Sequence, residues 1–483
     1  MLIRGCELDG ALRDVRIAGA RIAAVAPALA ALPGEERLDA RGGALLPGLN
    51  DHHAHLFAAA AALSSVRCGP PQLRDARQLE GALSRAPNAG WLRGVGYHES
   101  VAGALDRDTL DRWLPSRPAR IQHRTGALWV LNSAAISAFG LDAGVDAPGV
   151  ERDAAGRATG RLFRLDAWLG ARVPREPVSL RTLSLQLARC GVTGITDTGA
   201  DNGAETLAAF ASAQRAGDLR QRVLVMGSES LPSTTDPLLA RGALKLLLDE
   251  RALPELGALC ARIAAAHRAE RAVAVHAVTR AELLFALAAF AEAGSQHGDR
   301  IEHASVAPPE AVRAIRRLAL SVVTQPSFIA ERGEQYATDV EPADRAWLYR
   351  ARGFLAAGVP LAAGTDAPYS EPDPWSAMRA AVTRRSDAGH VLGSAEALTP
   401  EEALALFTSP LEVPGATPPR LVPGARADLC LLDAPWPRAR CELSADRVAA
   451  TWRDGERIWD ARSLSANECP PIDPAGDSLP REP

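Results

Sequence analysis

Lysine is almost absent from this 483-residue chain: of 54 basic residues one is lysine, Lys245, and all the others are arginine. Against 58 acidic residues the formal net charge is −4, and no block of like charges is long enough to grip a polyanion, which argues against a nucleic-acid partner. Cysteine is sparse, odd in number at seven, and never in a Cys-x-x-Cys pair, which excludes a disulfide framework and fits reduced thiols in the cytoplasm. Long apolar runs are missing too. The longest Ala/Leu stretch, residues 56–63, falls far short of the ~20 residues of a membrane span, and the opening MLIRGCELDG lacks a signal-peptide core, so neither a membrane nor export is expected. What is present is ordinary globular composition, 47% hydrophobic and 23% charged, which excludes a disordered or collagen-like chain.

The lone lysine carries information because arginine serves wherever a positive charge suffices. A desolvated amine can lose its proton and be modified, whereas a guanidinium stays charged. Survival by chance stands beside that reading on composition alone.

Residues 1–46 alternate short apolar runs (15–22, 22–25, 44–46) with turn signals such as Asp9-Gly10 and Gly42-Gly43, the pattern of a small β-meander. The stretch 415–465 reads alike, with strands over 428–432, 448–452 and 457–459 and a hairpin turn at Asp454-Gly455. Two β-rich ends suggest one small sandwich built from both termini. Between them, over 47–414, runs at 191–197, 221–227, 244–248, 272–276, 300–302, 321–324 and 360–363 alternate with segments of helical period at 178–190, 205–216, 254–268, 279–293, 308–318 and 343–358. With a strand before His53 that makes eight. The α/β reading is a (β/α)8 barrel, although an open doubly wound sheet gives similar periodicity. Residues 64–175 are too long for one connection and form an inserted lobe after the first barrel strand. The Pro-rich tail, 466–483, lacks apolar periodicity.

The strongest local feature is Pro47-Gly48-Leu49-Asn50-Asp51-His52-His53-Ala54-His55. Residues two apart in a strand share a face, so His53 and His55 form half of a metal site. One further candidate ends each of several other strands: Lys245, His276, His303 and Asp366. In a barrel the strand C-termini converge on one mouth, so these residues meet there. The remaining histidines, including His98 and His123, lack the pattern.

The order His-x-His, Lys, His, His, Asp resembles the metal-dependent amidohydrolase superfamily. Residues 91–96, 129–133, 191–197, 242–249, Gln325-Pro326 and 364–368 are similar to the branch that includes N-substituted formamide deformylases. The resemblance implies that His53, His55 and Asp366 hold one divalent metal, His276 and His303 a second, and that Lys245, carboxylated by carbon dioxide, bridges them. Two zinc ions are implied, with manganese, iron or cobalt as substitutes. It further implies hydrolysis of a carbon–nitrogen bond other than a peptide bond in a small-molecule substrate, with Asp366 shuttling the proton. A homodimer is left open.

The chain departs from that branch where substrate would bind. Gly126-Ala127 stands where relatives often carry Gly-His, with His123 and Arg124 just upstream, and Thr159-Gly160 leads into Arg161 and Arg164 in place of an acid. His123, Arg124, Trp129, Arg164, Gln325 and Tyr369 are the expected substrate contacts, an arginine being suited to a carboxylate. Two other functions compete: a mononuclear aminohydrolase, which needs no lysine, and a non-catalytic barrel scaffold.

Overall fold

Strands that face helices on one side and a barrel interior on the other must be apolar on both faces. The runs singled out in the sequence are of this kind, and in the computed structural model they form one eight-stranded parallel sheet: β1 Leu49–Ala54, β2 Val192–Asp197, β3 Arg222–Gly227, β4 Leu239–Leu247, β5 Val273–Ala277, β6 Arg300–His303, β7 Ser321–Thr324 and β8 Leu361–Ala363. The structure describes residues 1–70, 72–87, 90–145, 147–173 and 178–462; the expected tail, 466–483, lies outside them. Each strand pairs with its neighbour in chain order. The ring closes where the chain leaves β8: the Asp366 N–H donates to His53 O at 2.7 Å and the His55 N–H donates to Ala367 O at 2.9 Å. Gly364 permits that closure, since a Cβ there would stand 2.4 Å from His53 N.

Helices Arg181–Arg189, Ala204–Arg215, Leu256–Arg268, Arg280–Ala293 and Pro309–Arg317 lie where periodicity puts them. Three expectations are corrected. The helix expected over 343–358 is a short 3-10 turn, Arg345–Trp347, followed by the helix Ala351–Ala356. The run 15–22 is two strands, Ala11–Ala18 and Arg21–Ala26, broken at Gly19, whose φ of +55° suits glycine. The apolar run before the histidine motif, Leu45–Pro47, pairs with Leu429–Leu432 in another sheet, so the barrel strand is the motif itself.

The terminal strands form two four-stranded sheets. Their shared core takes Ile3, Val15, Ile17, Ile22 and Leu45 from one end of the chain and Leu429, Leu431, Ala450 and Trp452 from the other. Arg222 of β3 ties this core to the barrel, reaching Asp428 at 3.0 Å and Asp454 at 2.7 Å. Among the described residues, 1–59 and 179–462 make one compact unit, and those of Ala60–Val178 make the other. That second unit is built on a six-stranded sheet whose central strands are Leu92–Tyr97, Ala119–His123 and Leu128–Leu131. The cysteines among the described residues are free, and no helix there is long and apolar enough to cross a membrane.

Candidate metal centre at the barrel mouth

The C-terminal ends of β1, β4, β5, β6 and β8 bring six side chains together. His53, in β1, and His55, just past it, both turn Nε2 toward Asp366 Oδ1, at 3.4 and 3.3 Å. These three offer ligand atoms within 4.8 Å of one another. His303 closes β6 with its Nδ1 4.0 Å from Asp366 Oδ2 and 2.6 Å from Gln325 Oε1. His276 of β5 stands edge-on to His303, with ring centroids 4.5 Å apart. Lys245 of β4 is buried, its Nζ 4.0 Å from Glu302 Oε2. Both His303 and Asp366 adopt left-handed backbone, φ +68° and +58°, a conformation that costs about 1–3 kcal/mol and collects at functional sites.

The groups behind these six fix their orientation. Glu302, wholly buried in β6, accepts from His53 Nδ1 with one oxygen and from Arg300 Nε with the other. That bond puts the His53 proton on Nδ1 and leaves Nε2 a lone pair facing Asp366. The Asp51 carboxylate accepts from the backbone N–H of His53 (3.1 Å) and of Thr365 (3.0 Å) and from Thr365 Oγ1 (2.6 Å), which locks β1 against the loop that carries Asp366. Burial pushes Asp51 up to about 6. Burial also holds His53 and His303 well below the ordinary imidazole value, so both are neutral donors. Lys245 is drawn down to about 8, first by burial and then by Arg300, with Glu302 opposing.

Two buried atoms at this place have no hydrogen-bond partner, Asp366 Oδ1 and Lys245 Nζ. A buried carboxylate oxygen stranded beside two imidazole nitrogens is costly unless a cation joins them, so the donor set fits a divalent metal.

Among the expected substrate contacts, Gln325 and Tyr369 lie here, the Tyr369 ring 5.6 Å from that of His55. His123, Arg124, Trp129 and Arg164 belong to the other unit. Trp129 is buried there with its indole N–H on Asp166 Oδ1 at 2.8 Å, and the Arg124 N–H donates to Tyr97 O. Arg164 has a left-handed backbone and donates its N–H to Ala127 O. Glu302, Arg300 and Asp51 had not been singled out. The signal was a pair of opposite charges inside a strand: Arg300 and Glu302, two apart in β6, share one face.

With this geometry in hand, comparison with known proteins decides the family: residues 36–459 match the amidohydrolase family. The chain belongs to it. This amidohydrolase is a hydrolase of carbon–nitrogen bonds. It is 27% identical to an N-substituted formamide deformylase of Arthrobacter pascens over 91% of this chain and 94% of that one. Its fold is that of a metal-dependent hydrolase from Pyrococcus horikoshii OT3 (TM-score 0.68, 20% identity, 89% of this chain and 97% of that one). It is also that of an N-isopropylammelide isopropylaminohydrolase from Burkholderia multivorans (TM-score 0.54, 20% identity, 95% and 97%).

Proposed function

We propose that this amidohydrolase cleaves a non-peptide amide, formamide or N-acyl bond of a small molecule at a binuclear centre bridged by carboxylated Lys245. The observation that carries this reading is the pair of stranded buried atoms, Asp366 Oδ1 and Lys245 Nζ, set at the strand ends that carry His53, His55, His276 and His303. His53, His55 and Asp366 would hold one ion and His276 and His303 the other, with zinc the best match to mixed nitrogen and oxygen donors. Metal bound there supplies an acidified water and a Lewis acid for the carbonyl.

The protein's own groups do the rest. The neutral Lys245 amine adds to carbon dioxide; the new N–C bond yields a carbamate, and one proton leaves to solvent. The resulting carboxylate would offer oxygen ligands to the ions, which a guanidinium could not. Asp366 takes the proton of the attacking water at Oδ2, its Oδ1 being committed to the histidine side, and returns it to the departing nitrogen as the C–N bond breaks. Gln325, fixed on His303 Nδ1, keeps that ring turned toward the mouth. The formamide class is carried over from the Arthrobacter relative, whose name states it. We place the enzyme in the cytoplasm, acting without a nucleic-acid or membrane partner, in keeping with the free cysteines among its described residues.

The second reading is a mononuclear aminohydrolase. It is favoured by one fact: His53, His55 and Asp366 already form a three-ligand set without modification of Lys245. Metal content by plasma mass spectrometry, on wild type and Lys245→Arg prepared with bicarbonate, separates the two. About two ions in wild type, falling toward one or none in the variant, are expected; equal content in both would retire the bridged centre in favour of the mononuclear reading.

A further inference from the structure

The arginine expected to meet a substrate carboxylate, Arg164, belongs to the unit Ala60–Val178. The unit that carries the metal ligands brings up another. Arg332, half-buried, lies in the second turn of the helix Ser327–Asp339, which begins directly after Gln325-Pro326 at the end of β7.

Two contacts fix its guanidinium. Nη2 donates to Tyr369 O at 2.7 Å, and Cζ lies over the Phe328 ring, 3.8 Å from its centroid and one turn back on the same helix. Phe328 is buried, so the fork rests on a packed surface. Tyr369 makes the link to the metal centre: its N–H donates to Asp366 O at 2.8 Å, and its ring meets that of His55 edge-on with centroids 5.6 Å apart. One residue thus joins the guanidinium to two of the expected ligands. Burial raises the Asp366 carboxyl, and Arg332 is among the charges that oppose burial there, so its field reaches the barrel mouth.

A guanidinium presents its N–H donors in a rigid fork that matches a carboxylate, and stacking on a ring leaves the edge of the fork to make those bonds. A cation set beside a centre for divalent metal adds repulsion, which an anionic substrate bound beside both relieves. The cluster that holds Phe328 also takes in Val306, three residues past His303, and has Tyr336, Trp347 and Tyr369 at its partly buried edge, so an apolar surface adjoins the cation.

We propose that Arg332 receives the carboxylate of the substrate, and that the substrate class is N-formyl or other short N-acyl amino acids with an apolar side chain. The inference rests on the formamide reading given above: a formyl group has no room for an anion, so the carboxylate falls on the amine portion. Water supplies the hydroxyl that leaves on formate and the proton that leaves on the amino-acid nitrogen.

Zinc-loaded full-length wild type, Arg332→Gln and Arg332→Lys are titrated by calorimetry with two product pairs that differ only in the carboxylate: phenylalanine against 2-phenylethylamine, and leucine against 3-methylbutylamine. Products report binding without turnover. Wild type is expected to hold each amino acid at least about 10-fold more tightly than its amine. Arg332→Gln should weaken the amino acid by about 10- to 100-fold while the amine moves far less, and Arg332→Lys should recover part of the loss. No preference in wild type overturns the proposal. So does equal weakening of both members of a pair in the variants, which is what loss of a strut for Tyr369 would give. Melting identifies a variant that fails to fold, and the wild-type preference then decides. Formate release from N-formylphenylalanine and from N-(2-phenylethyl)formamide is followed separately. Release without a carboxylate preference removes this inference and leaves the formamide reading standing; selective binding with no release from either compound removes the formamide reading and leaves Arg332 a carboxylate site.

Discussion

Glu302 has no water to turn to, and each of its oxygens is committed, one to Arg300 and one to His53. Replacing it with glutamine keeps the shape but weakens the acceptor that holds the His53 proton on Nδ1. Glu302→Gln is expected to lower zinc affinity by about 10- to 100-fold in a competition titration, and unchanged affinity would deny the residue its orienting role. Glu302→Ala strands the buried Arg300 cation and should cost about 3–5 kcal/mol in denaturant unfolding. The histidines and Lys245 were legible in the sequence because they are rare and end strands. Glu302 was not, because the chain has 58 acidic residues and its one local mark, Arg300 two residues before it, does not reveal the partner that arrives from β1. Glu331 is another such carboxyl. Burial raises it to about 8, and its oxygen accepts the Glu371 N–H at 3.2 Å. From the ordinary carboxyl range up to pH 8 the unfolded chain ionises while the folded one keeps the proton. Stability therefore falls as pH rises through that window, by up to about 1.4 kcal/mol per unit, and levels off above it. Glu331→Gln is free of this loss, so its unfolding free energy should exceed that of wild type by a margin that grows from pH 5 to pH 8. A margin independent of pH would show that Glu331 ionises normally.

At the level of elements, the parallel strands could be read because strands buried on both faces are largely continuous apolar runs, and the functional end of several could be read from the His, Lys or Asp at or just past it. The helices Pro374–Thr383 and Pro400–Thr408 escaped because proline reads as a breaker, although it suits the first turn of a helix, where no intrahelical N–H bond is lost. Thr399 and Glu402 cap the second of these reciprocally, a signal of four residues that a periodicity count passes over. Barrel closure is likewise a matter of single atoms. Gly364 lies against the backbone of His53, and a methyl group there would fall 2.4 Å from His53 N, where only movement of a whole strand gives relief. Gly364→Ala should therefore cost at least about 1–3 kcal/mol and separate His53 from Asp366. The measurement is zinc bound per folded chain together with the denaturation midpoint. Wild-type values for both would mean that β1 and β8 are held apart by something other than this contact.

For the whole molecule, the consequence of building one core from both ends is cooperative. Ile3 and Val15 meet Leu429, Leu431 and Trp452 only after the chain between them has been laid down, which makes these contacts among the least local in the fold. That architecture was legible as two β-rich ends; its attachment was not, because Arg222 reads as one arginine among many until its partners Asp428 and Asp454 are known. Thr451 Oγ1 adds a second tie, donating to Ala188 O at 2.8 Å beside the start of β2. Trp452 is wholly buried at the centre of the shared core. Trp452→Ala should cost about 3–5 kcal/mol through the cavity it leaves. If the ties transmit that loss, the barrel opens with the sandwich. Hydrogen exchange followed by mass spectrometry in mild denaturant then gives one common opening rate for peptides covering Val192–Asp197 and Leu429–Leu432, in wild type and variant alike, with the variant faster. A barrel peptide that stays protected while Leu429–Leu432 exchanges would mean that Arg222 and Thr451 hold two independently folding layers in place without coupling them.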